Sequence, residues 1–182
     1  MADIGLFYGS DTGNTEYVAY LIKDALETLL GPDTVDVHNI GKSGLAAMRD
    51  YPRLILGIPT WNIGQLQDDW DVLWPDLEEL DFAGKTVALF GLGDQYGYPD
   101  TFLDALGMLG EKVLDQGAAL VGYWPAAGYE FEQSLAFEPA SDRLMGLGID
   151  EDHQPERTGD RVDAWAAQIV GEFGLIAKPA VA

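Results

Sequence analysis

The 182-residue chain combines a hydrophobic content of 47% with a formal net charge of -21 at pH 7. Its length suits one globular domain with a full core, and its acidic surface repels nucleic acid and anionic lipid. The sequence contains no cysteine, which excludes disulfides, cysteine nucleophiles and cysteine-ligated zinc or iron–sulfur sites. Its two histidines, His38 and His153, argue against a histidine metal site or a Ser–His triad.

The N-terminal segment lacks the charged and apolar regions of a secretory signal. No apolar run approaches the roughly 18 residues that a membrane-spanning helix needs. We therefore expect a cytoplasmic protein that does not insert into a membrane.

Short apolar runs alternate along the chain with longer amphipathic stretches. Strands are predicted at residues 4–8, 34–38, 53–58, 86–90 and 119–123. Helices are predicted where apolar residues recur at helical spacing, over about residues 18–29, 45–48, 70–80, 102–113 and 162–173. Because the strands are continuously apolar, both faces of the sheet should be covered. The sequence therefore predicts an α/β fold with a doubly wound, five-stranded parallel sheet.

The alternation fails over about residues 125–147, which are rich in Ala, Glu, Gly and aromatic residues. We interpret this stretch as an insertion in or beside the fifth strand and not as a second domain. One domain is expected over residues 1–176, followed by a frayed tail over residues 177–182.

The first motif is the loop "GSDTGNT" at residues 9–15, which joins the first predicted strand to the first predicted helix. It places free backbone N–H groups at a helix N-terminus, and Ser10, Thr12 and Thr15 add hydroxyl donors. These donors suit a single terminal phosphate. The loop lacks the Gly-Lys-Ser/Thr ending of a triphosphate-binding loop and the three-glycine dinucleotide fingerprint. An ordinary helix cap is the alternative interpretation.

The second motif, "PTWNIG" at residues 59–64, follows the third predicted strand. Trp61 can form a flat wall for a planar ring, although it could instead pack on the following helix. Asn62 and Gly64 tolerate a positive φ, so the peptide orientation in this loop can change at modest cost.

The third motif, "GLGDQYGY" at residues 91–98, follows the fourth predicted strand. Its glycines allow the backbone to approach a ligand, and Tyr96 or Tyr98 can supply a second wall. A glycine-rich turn covering the core is the alternative. Because ligands of an open α/β sheet bind beyond the carboxyl ends of its strands, we expect the three loops to meet.

Taken together, "GSDTGNT", "PTWNIG" and "GLGDQYGYPD" resemble the long-chain flavodoxins, including those associated with nitrogen fixation. The resemblance spans nearly the whole chain, including the insertion after "GYW" and the closing "GLGIDED" and "EFGL". It implies a flavodoxin-like fold with strand order 2-1-3-4-5, helices on both faces and non-covalently bound FMN. Flavodoxins are themselves an example of binding at the switch point of such a sheet.

The resemblance also implies which residues bind the cofactor, with no catalytic and no metal-binding residue among them. These residues are Ser10, Asp11, Thr12, Gly13, Asn14, Thr15, Pro59, Thr60, Trp61, Asn62, Ile63, Gly64, Leu92, Gly93, Asp94, Tyr98 and Asp152.

Within that set, residues 10–15 would hold the FMN phosphate, and Trp61 and Tyr98 would enclose the isoalloxazine ring. Asp152 matches an aspartate near the ribityl chain. Two residues depart from relatives: Asn14 stands where some have lysine, and Leu92 where threonine is common. The first departure leaves the phosphate to hydrogen bonds and the helix dipole.

The function implied by the resemblance is that of a low-potential one-electron carrier shuttling between the semiquinone and hydroquinone of FMN. In the family, the backbone at Asn62 and Ile63 changes its hydrogen bond to the ring with redox state. The expected partners have basic docking faces: ferredoxin–NADP reductase, nitrogenase reductase, pyruvate oxidoreductase or photosystem I. A monomer is expected.

Two other functions are compatible with this fold class. An FMN-dependent quinone or NAD(P)H oxidoreductase stays open as the alternative, and would be reduced by NADPH alone. A signalling receiver domain is disfavoured, because it needs an aspartate ending the third strand, where this chain has Pro59 and Thr60.

Overall fold

The computed structural model describes residues 2–178 and has a parallel β-sheet as its framework. The strands are β1 Ile4–Tyr8, β2 Val35–Asn39, β3 Arg53–Trp61, β4 Gln65–Leu66, β5 Thr86–Leu92, β6 Ala119–Val121, β7 Trp124–Pro125, β8 Phe137–Glu138, β9 Arg143–Leu144 and β10 Leu147–Ile149. The helices are α1 Asn14–Leu30, α2 Ile40–Ser43, α3 Asp68–Glu78, α4 Asp104–Asp115 and α5 Thr158–Glu172, with 3₁₀ turns at Ala46–Asp50 and Pro155–Arg157.

The main path of the sheet runs in the order β2-β1-β3-β5-β10, and all neighbours on this path are parallel. This confirms the predicted order 2-1-3-4-5. The short strand β4 pairs antiparallel with the end of β3, and β6 pairs parallel with the start of β5.

The fifth strand is in two pieces, and the first ends at Val121, two residues before the end of the predicted segment 119–123. Its first piece, β6, pairs with Thr86–Ala88 of β5, and its second piece, β10, pairs with Phe90–Leu92. The chain between them forms a small antiparallel sheet in the order β7-β9-β8. The predicted insertion therefore interrupts the fifth strand.

Helices cover both faces of the sheet, as the apolar strands predicted. Trp70 of α3 and the buried residues of α4 pack on one face, while α1 and α5 pack on the other. Trp70 Nε1 donates to the Gly57 carbonyl at 2.9 Å, and Trp165 Nε1 donates to the Gly122 carbonyl at 2.8 Å. Both indoles are therefore buried with their single polar atom satisfied. Each fully buried large apolar side chain contributes about 1.5–3 kcal/mol.

Several element boundaries differ from the sequence predictions. The short helix predicted at residues 45–48 is a 3₁₀ turn at Ala46–Asp50, preceded by the unpredicted helix α2. Of the predicted tail, residues 179–182 lie outside the described part of the chain, whereas Lys178 donates its backbone N–H to the Leu29 carbonyl at 2.8 Å. None of the helices within residues 2–178 is long and apolar enough to cross a bilayer.

The insertion packs closely on α4 at Gly107. A Cβ added at Gly107 would lie 2.3 Å from the backbone carbon of Leu135 and 2.6 Å from the Ala136 nitrogen. The Leu135 N–H also donates to Asp104 Oδ1 at 2.8 Å. The insertion backbone therefore rests directly on the helix, and only glycine fits between them.

We expect Gly107→Ala to lower the free energy of unfolding by about 1–3 kcal/mol, because the added methyl would overlap backbone atoms that cannot rotate away. Urea unfolding measures the change. Gly171→Ala, in α5, is the matched control, because nothing lies within 4 Å of its added Cβ. Its better helix propensity should make it neutral or stabilising by up to about 1 kcal/mol. Equal effects at both positions would contradict this packing.

Candidate functional site

A cleft of about 220 Å³ opens at the carboxyl edge of the sheet. It lies where the chain crosses from one side of β1 to the other, which is the switch point of a doubly wound sheet. It is lined by Asp11, Thr12, Asn14, Thr15, Pro59, Thr60, Trp61, Asn62, Leu92, Gly93, Asp94, Tyr98, Glu151 and Asp152. The three sequence motifs and the segment after β10 therefore meet at one place.

Four residues of the predicted site do not line the cleft: Ser10, Gly13, Ile63 and Gly64. Ser10 Oγ accepts the Gly13 N–H at 3.1 Å and so shapes the loop. Ile63 is 79% exposed beside the cleft, and Gly64 takes a φ of 74° in the turn after β3. Glu151 lines the cleft but was not predicted, since nothing in its local sequence distinguishes it from its acidic neighbours.

The loop before α1 leaves the start of that helix uncapped. Its N-cap is Gly13, which has a φ of 91°, and no side chain in the described chain caps the helix. Gly13 and not Thr12 therefore occupies the cap position, without a side chain to bond the first turn. The N–H groups of the first turn are left for an outside acceptor, and the helix dipole favours a negatively charged one. This arrangement fits a phosphate group.

A buried glutamine fixes the same loop to α3. Gln67, which is 0% exposed, donates from Nε2 to Asp11 Oδ1 at 2.8 Å and to Asp69 Oδ2 at 2.9 Å. Its Oε1 accepts the Trp70 N–H, so the side chain also caps α3. Gln67 was missed in the sequence: the acidic first turn of α3 signals a helix start, but glutamine is not among the usual N-cap residues.

The first half of the second motif lies in a strand, and its second half forms a turn. Strand β3 continues through Trp61, and Asn62, with a φ of 47°, begins the turn into β4. This corrects the predicted strand end at residue 58. Thr60 Oγ1 accepts the Ala105 N–H at 3.1 Å, so its own O–H is free to donate into the cleft.

Two aromatic side chains form walls of the cleft. Trp61 lines it with a buried Nε1 that has no partner among the described residues. Tyr98 lines it as well and is 46% exposed. Tyr96, the other candidate, instead packs its ring edge-on against His153, with centroids 4.9 Å apart. A planar ring between Trp61 and Tyr98 would have an aromatic face available on each side.

The third motif is held by its own aspartate. Asp94 Oδ1 accepts the N–H groups of Tyr96 and Gly97 at 3.0 and 2.6 Å, and lies 2.9 Å from His153 Nε2. Gly93 donates its N–H to the Ile149 carbonyl at 3.0 Å, which ties the motif to β10. Asp94 is therefore fixed by the backbone of its own turn and by a histidine from the next segment.

The electrostatic environment of the cleft is negative. Asp11, Asp94, Glu151 and Asp152 line it, and no lysine or arginine within residues 2–178 does so. Desolvation raises the pKa of Asp152 above its ordinary value, and the neighbouring charges of Asp94 and Asp150 raise it further. A cleft with this lining disfavours an additional negative charge.

Comparisons with known proteins identify the family. The model of the family described as flavodoxin matches residues 6–165. The chain is 48% identical to a flavodoxin from Picosynechococcus sp., over 96% of this chain and 100% of that protein. It is 50% identical to flavodoxin 1 of Salmonella typhimurium, over 96% and 97% of the two chains.

Solved structures agree with the sequence comparisons. The structure of Fusobacterium nucleatum flavodoxin bound to flavin mononucleotide superposes with a TM-score of 0.86 at 31% identity, covering 94% of this chain and 99% of that one. The fold, the site and these similarities together show that the chain belongs to the flavodoxin family.

We expect Asp152→Asn to stabilise the ligand-free protein at pH 7. Because the folded-state pKa is raised, Asp152 favours the fold below its unfolded pKa of about 4, and this contribution is lost as the pH rises through the folded value. The amide removes the charge that is unfavourable at neutral pH.

The measurement is the urea midpoint from pH 7 down to pH 4, where the advantage of Asp152→Asn should vanish. Asp163→Asn, on the exposed side of α5, controls for the loss of one negative charge from an acidic protein. A gain of equal size in the control would contradict a local cause.

Proposed function

We propose that this protein is a one-electron carrier with non-covalently bound FMN, working at low potential between the one- and two-electron-reduced states of the flavin. The observation that carries the proposal is the cleft, in which an uncapped helix N-terminus and two aromatic walls meet at the switch point. A flavodoxin of the same fold is bound to flavin mononucleotide. Flavodoxins are electron-transfer proteins and not enzymes, so family membership disfavours the oxidoreductase alternative.

The first loop is proposed to bind the phosphate without a cation. The first-turn N–H groups of α1 and the hydroxyls of Thr12 and Thr15 supply the donors, and Gln67 holds Asp11 back against α3. A dianion bound there meets the partial positive charge of the helix N-terminus but no full counter-charge. Asn14, at the start of the helix, adds no positive charge.

Trp61 and Tyr98 are proposed to enclose the ring, and Thr60, which lines the same cleft, is proposed to lie near the junction of ring and ribityl chain. The flavin, when bound, supplies the redox chemistry. The protein supplies the planar apolar walls, the turn at Asn62 beside them, and the surrounding carboxylates. Since those carboxylates oppose added negative charge, they should make the second reduction harder than the first.

We further propose that the FMN-binding domain spans residues 1–176 and that the protein works in the cytoplasm as a monomer. Its partners would be redox proteins with basic docking faces, such as ferredoxin–NADP reductase, nitrogenase reductase, pyruvate oxidoreductase or photosystem I. Support comes from the charge distribution: carboxylates surround the cleft, whereas Arg53 and Lys85 lie at the opposite edge of the sheet, where β3 and β5 begin.

Titration of the protein with FMN, followed by stepwise reduction with dithionite, tests the proposed function. We expect one FMN per chain and two one-electron steps, the second at the lower potential. Reduction by NADPH alone should be very slow, because a carrier needs a reductase. Failure to bind FMN would overturn the proposal, and rapid direct reduction by NADPH would favour the oxidoreductase alternative.

Variants localise the binding in the same titration. Trp61→Ala and Tyr98→Ala should each raise the Kd for FMN by about 2- to 10-fold, through loss of aromatic stacking. Tyr20→Ala is the matched control, because Tyr20 is similarly exposed at 49% but lies on α1 outside the cleft. Unchanged affinity in both cleft variants would remove these residues from the ring site.

Electron transfer with a basic partner should slow as ionic strength rises, because salt screens the attraction that steers the encounter. Stopped-flow mixing with ferredoxin–NADP reductase over about 0.05–0.5 M salt measures this. The net charge of -21 predicts a steep dependence. A rate that is indifferent to salt would contradict a docking face dominated by charge.

A further inference from the structure

Two polar side chains are completely buried between the cleft and the insertion. Gln95 and Asp150 are both 0% exposed. Gln95 follows Asp94, which lines the cleft, and Asp150 follows β10 and precedes Asp152, which also lines it. Burial of an amide and a carboxylate is costly unless every polar atom is bonded, so their partners indicate what they do.

Gln95 joins two segments through opposite ends of its amide. Its Nε2 donates to Asp150 Oδ2 at 2.7 Å, and its backbone N–H approaches the same oxygen at 3.2 Å. Its Oε1 accepts the backbone N–H of Glu130, in the insertion, at 2.7 Å. An amide can donate to a carboxylate through its nitrogen while its oxygen accepts a backbone N–H.

Asp150 extends the connection to the cleft. Its second oxygen, Oδ1, accepts the backbone N–H groups of Asp152 and His153 at 3.1 and 3.0 Å. Each of these bonded neighbours is an N–H donor. The carboxylate therefore fixes the turn that carries Asp152 against the loop that carries Asp94.

We propose that Gln95 and Asp150 form a buried joint through which the insertion positions the Asp94 and Asp152 loops of the cleft, with Gln95 as a positioning residue. The inference rests on the proposed function, since it gives the insertion a role in holding the FMN site. Other bonds anchor the insertion nearby, such as Tyr129 Oη to the Gly148 carbonyl and Glu132 N–H to the Pro99 carbonyl. Gln95 differs from them because one side chain contacts both the insertion and the carboxylate that orders the cleft.

Gln95→Glu is a selective test, because it keeps the hydrogen bond to Glu130 and replaces the hydrogen bond to Asp150 by a repulsion. The new carboxylate still accepts the Glu130 N–H, but its second oxygen faces Asp150 Oδ2 at about the 2.7 Å of the present hydrogen bond. Two buried carboxylates this close repel unless they share a proton. The defect should therefore appear at neutral pH and be reversed by acid.

Other ionisable and charged groups surround this pair. They are Asp94, Tyr96, Tyr129, Glu130, Asp152, His153, Arg157 and Arg161. All of them are present in the parent protein as well. The quantity to follow is consequently the ratio of the variant's Kd for FMN to that of the parent at the same pH.

We expect that ratio to be about 10 or more at pH 7, because the variant loses one charge-assisted hydrogen bond. The ratio should fall towards one at about pH 5. Hydrogen exchange of the two FMN-free proteins should show faster exchange at pH 7 both around Glu130 and around Asp152 and His153. Coupled exchange of these two segments is the signature of a joint.

Gln168→Glu is the matched control. Its Nε2 lies 3.0 Å from Glu172 Oε1, so this variant also places two carboxylates together, but on α5 and outside the cleft. Its Kd ratio should stay near one at every pH. A pH-independent ratio for Gln95→Glu, an equal effect in the control, or faster exchange of one segment alone would overturn the joint.

If Gln95→Glu unfolds at pH 7, the Kd ratio is measured at increasing pH from pH 5. A ratio that stays at one until the variant unfolds also overturns the proposed joint. Failure of the proposed function is recognised separately. If the parent protein binds no FMN, that proposal falls, whereas the exchange measurement on the FMN-free protein still decides whether the insertion and the cleft loops are coupled.

Discussion

The geometry of the cleft depends on the parallel pairing of β3 with β1 and β5. This register places Gly57 beside Tyr8 on one side and Phe90 on the other. The Gly57 carbonyl then accepts both the Gly9 N–H and Trp70 Nε1. One backbone group thereby fixes the first loop and α3 to the central strand. A Cβ at Gly57 would lie 2.1 Å from the Phe90 ring, so this approach requires glycine.

Local patterns in the sequence predicted the main strands, the four long helices and the three loops that meet, because the spacing of apolar residues and the placement of glycines are local signals. They did not predict features that depend on distant partners. Strand β4 exists only by pairing with the end of β3, and β10 only by pairing with β5. Gln67 and Gln95 look like ordinary polar residues in the sequence, and their burial is decided by carboxylates far away in the chain.

The two buried glutamines solve one electrostatic problem in the same way. Each holds a carboxylate belonging to a loop of the cleft, Gln67 at Asp11 and Gln95 at Asp150. A lysine or arginine could also bind these carboxylates, but it would add a positive charge beside the cleft. A neutral amide donates a hydrogen bond and leaves the negative field intact, which suits a site proposed to resist a second electron.

The divided fifth strand has a consequence for how the chain can change in length. Val121 lies opposite Ala88, Leu147 lies opposite Phe90, and Gly146 sits so close to the intervening Leu89 that a Cβ there would approach its carbonyl oxygen to 2.2 Å. Gly146 therefore takes the strand position next to that of Val121, opposite Leu89, although residues 122–145 separate them in the sequence. A segment of different length could therefore replace residues 122–145 at this position without changing the register of the sheet.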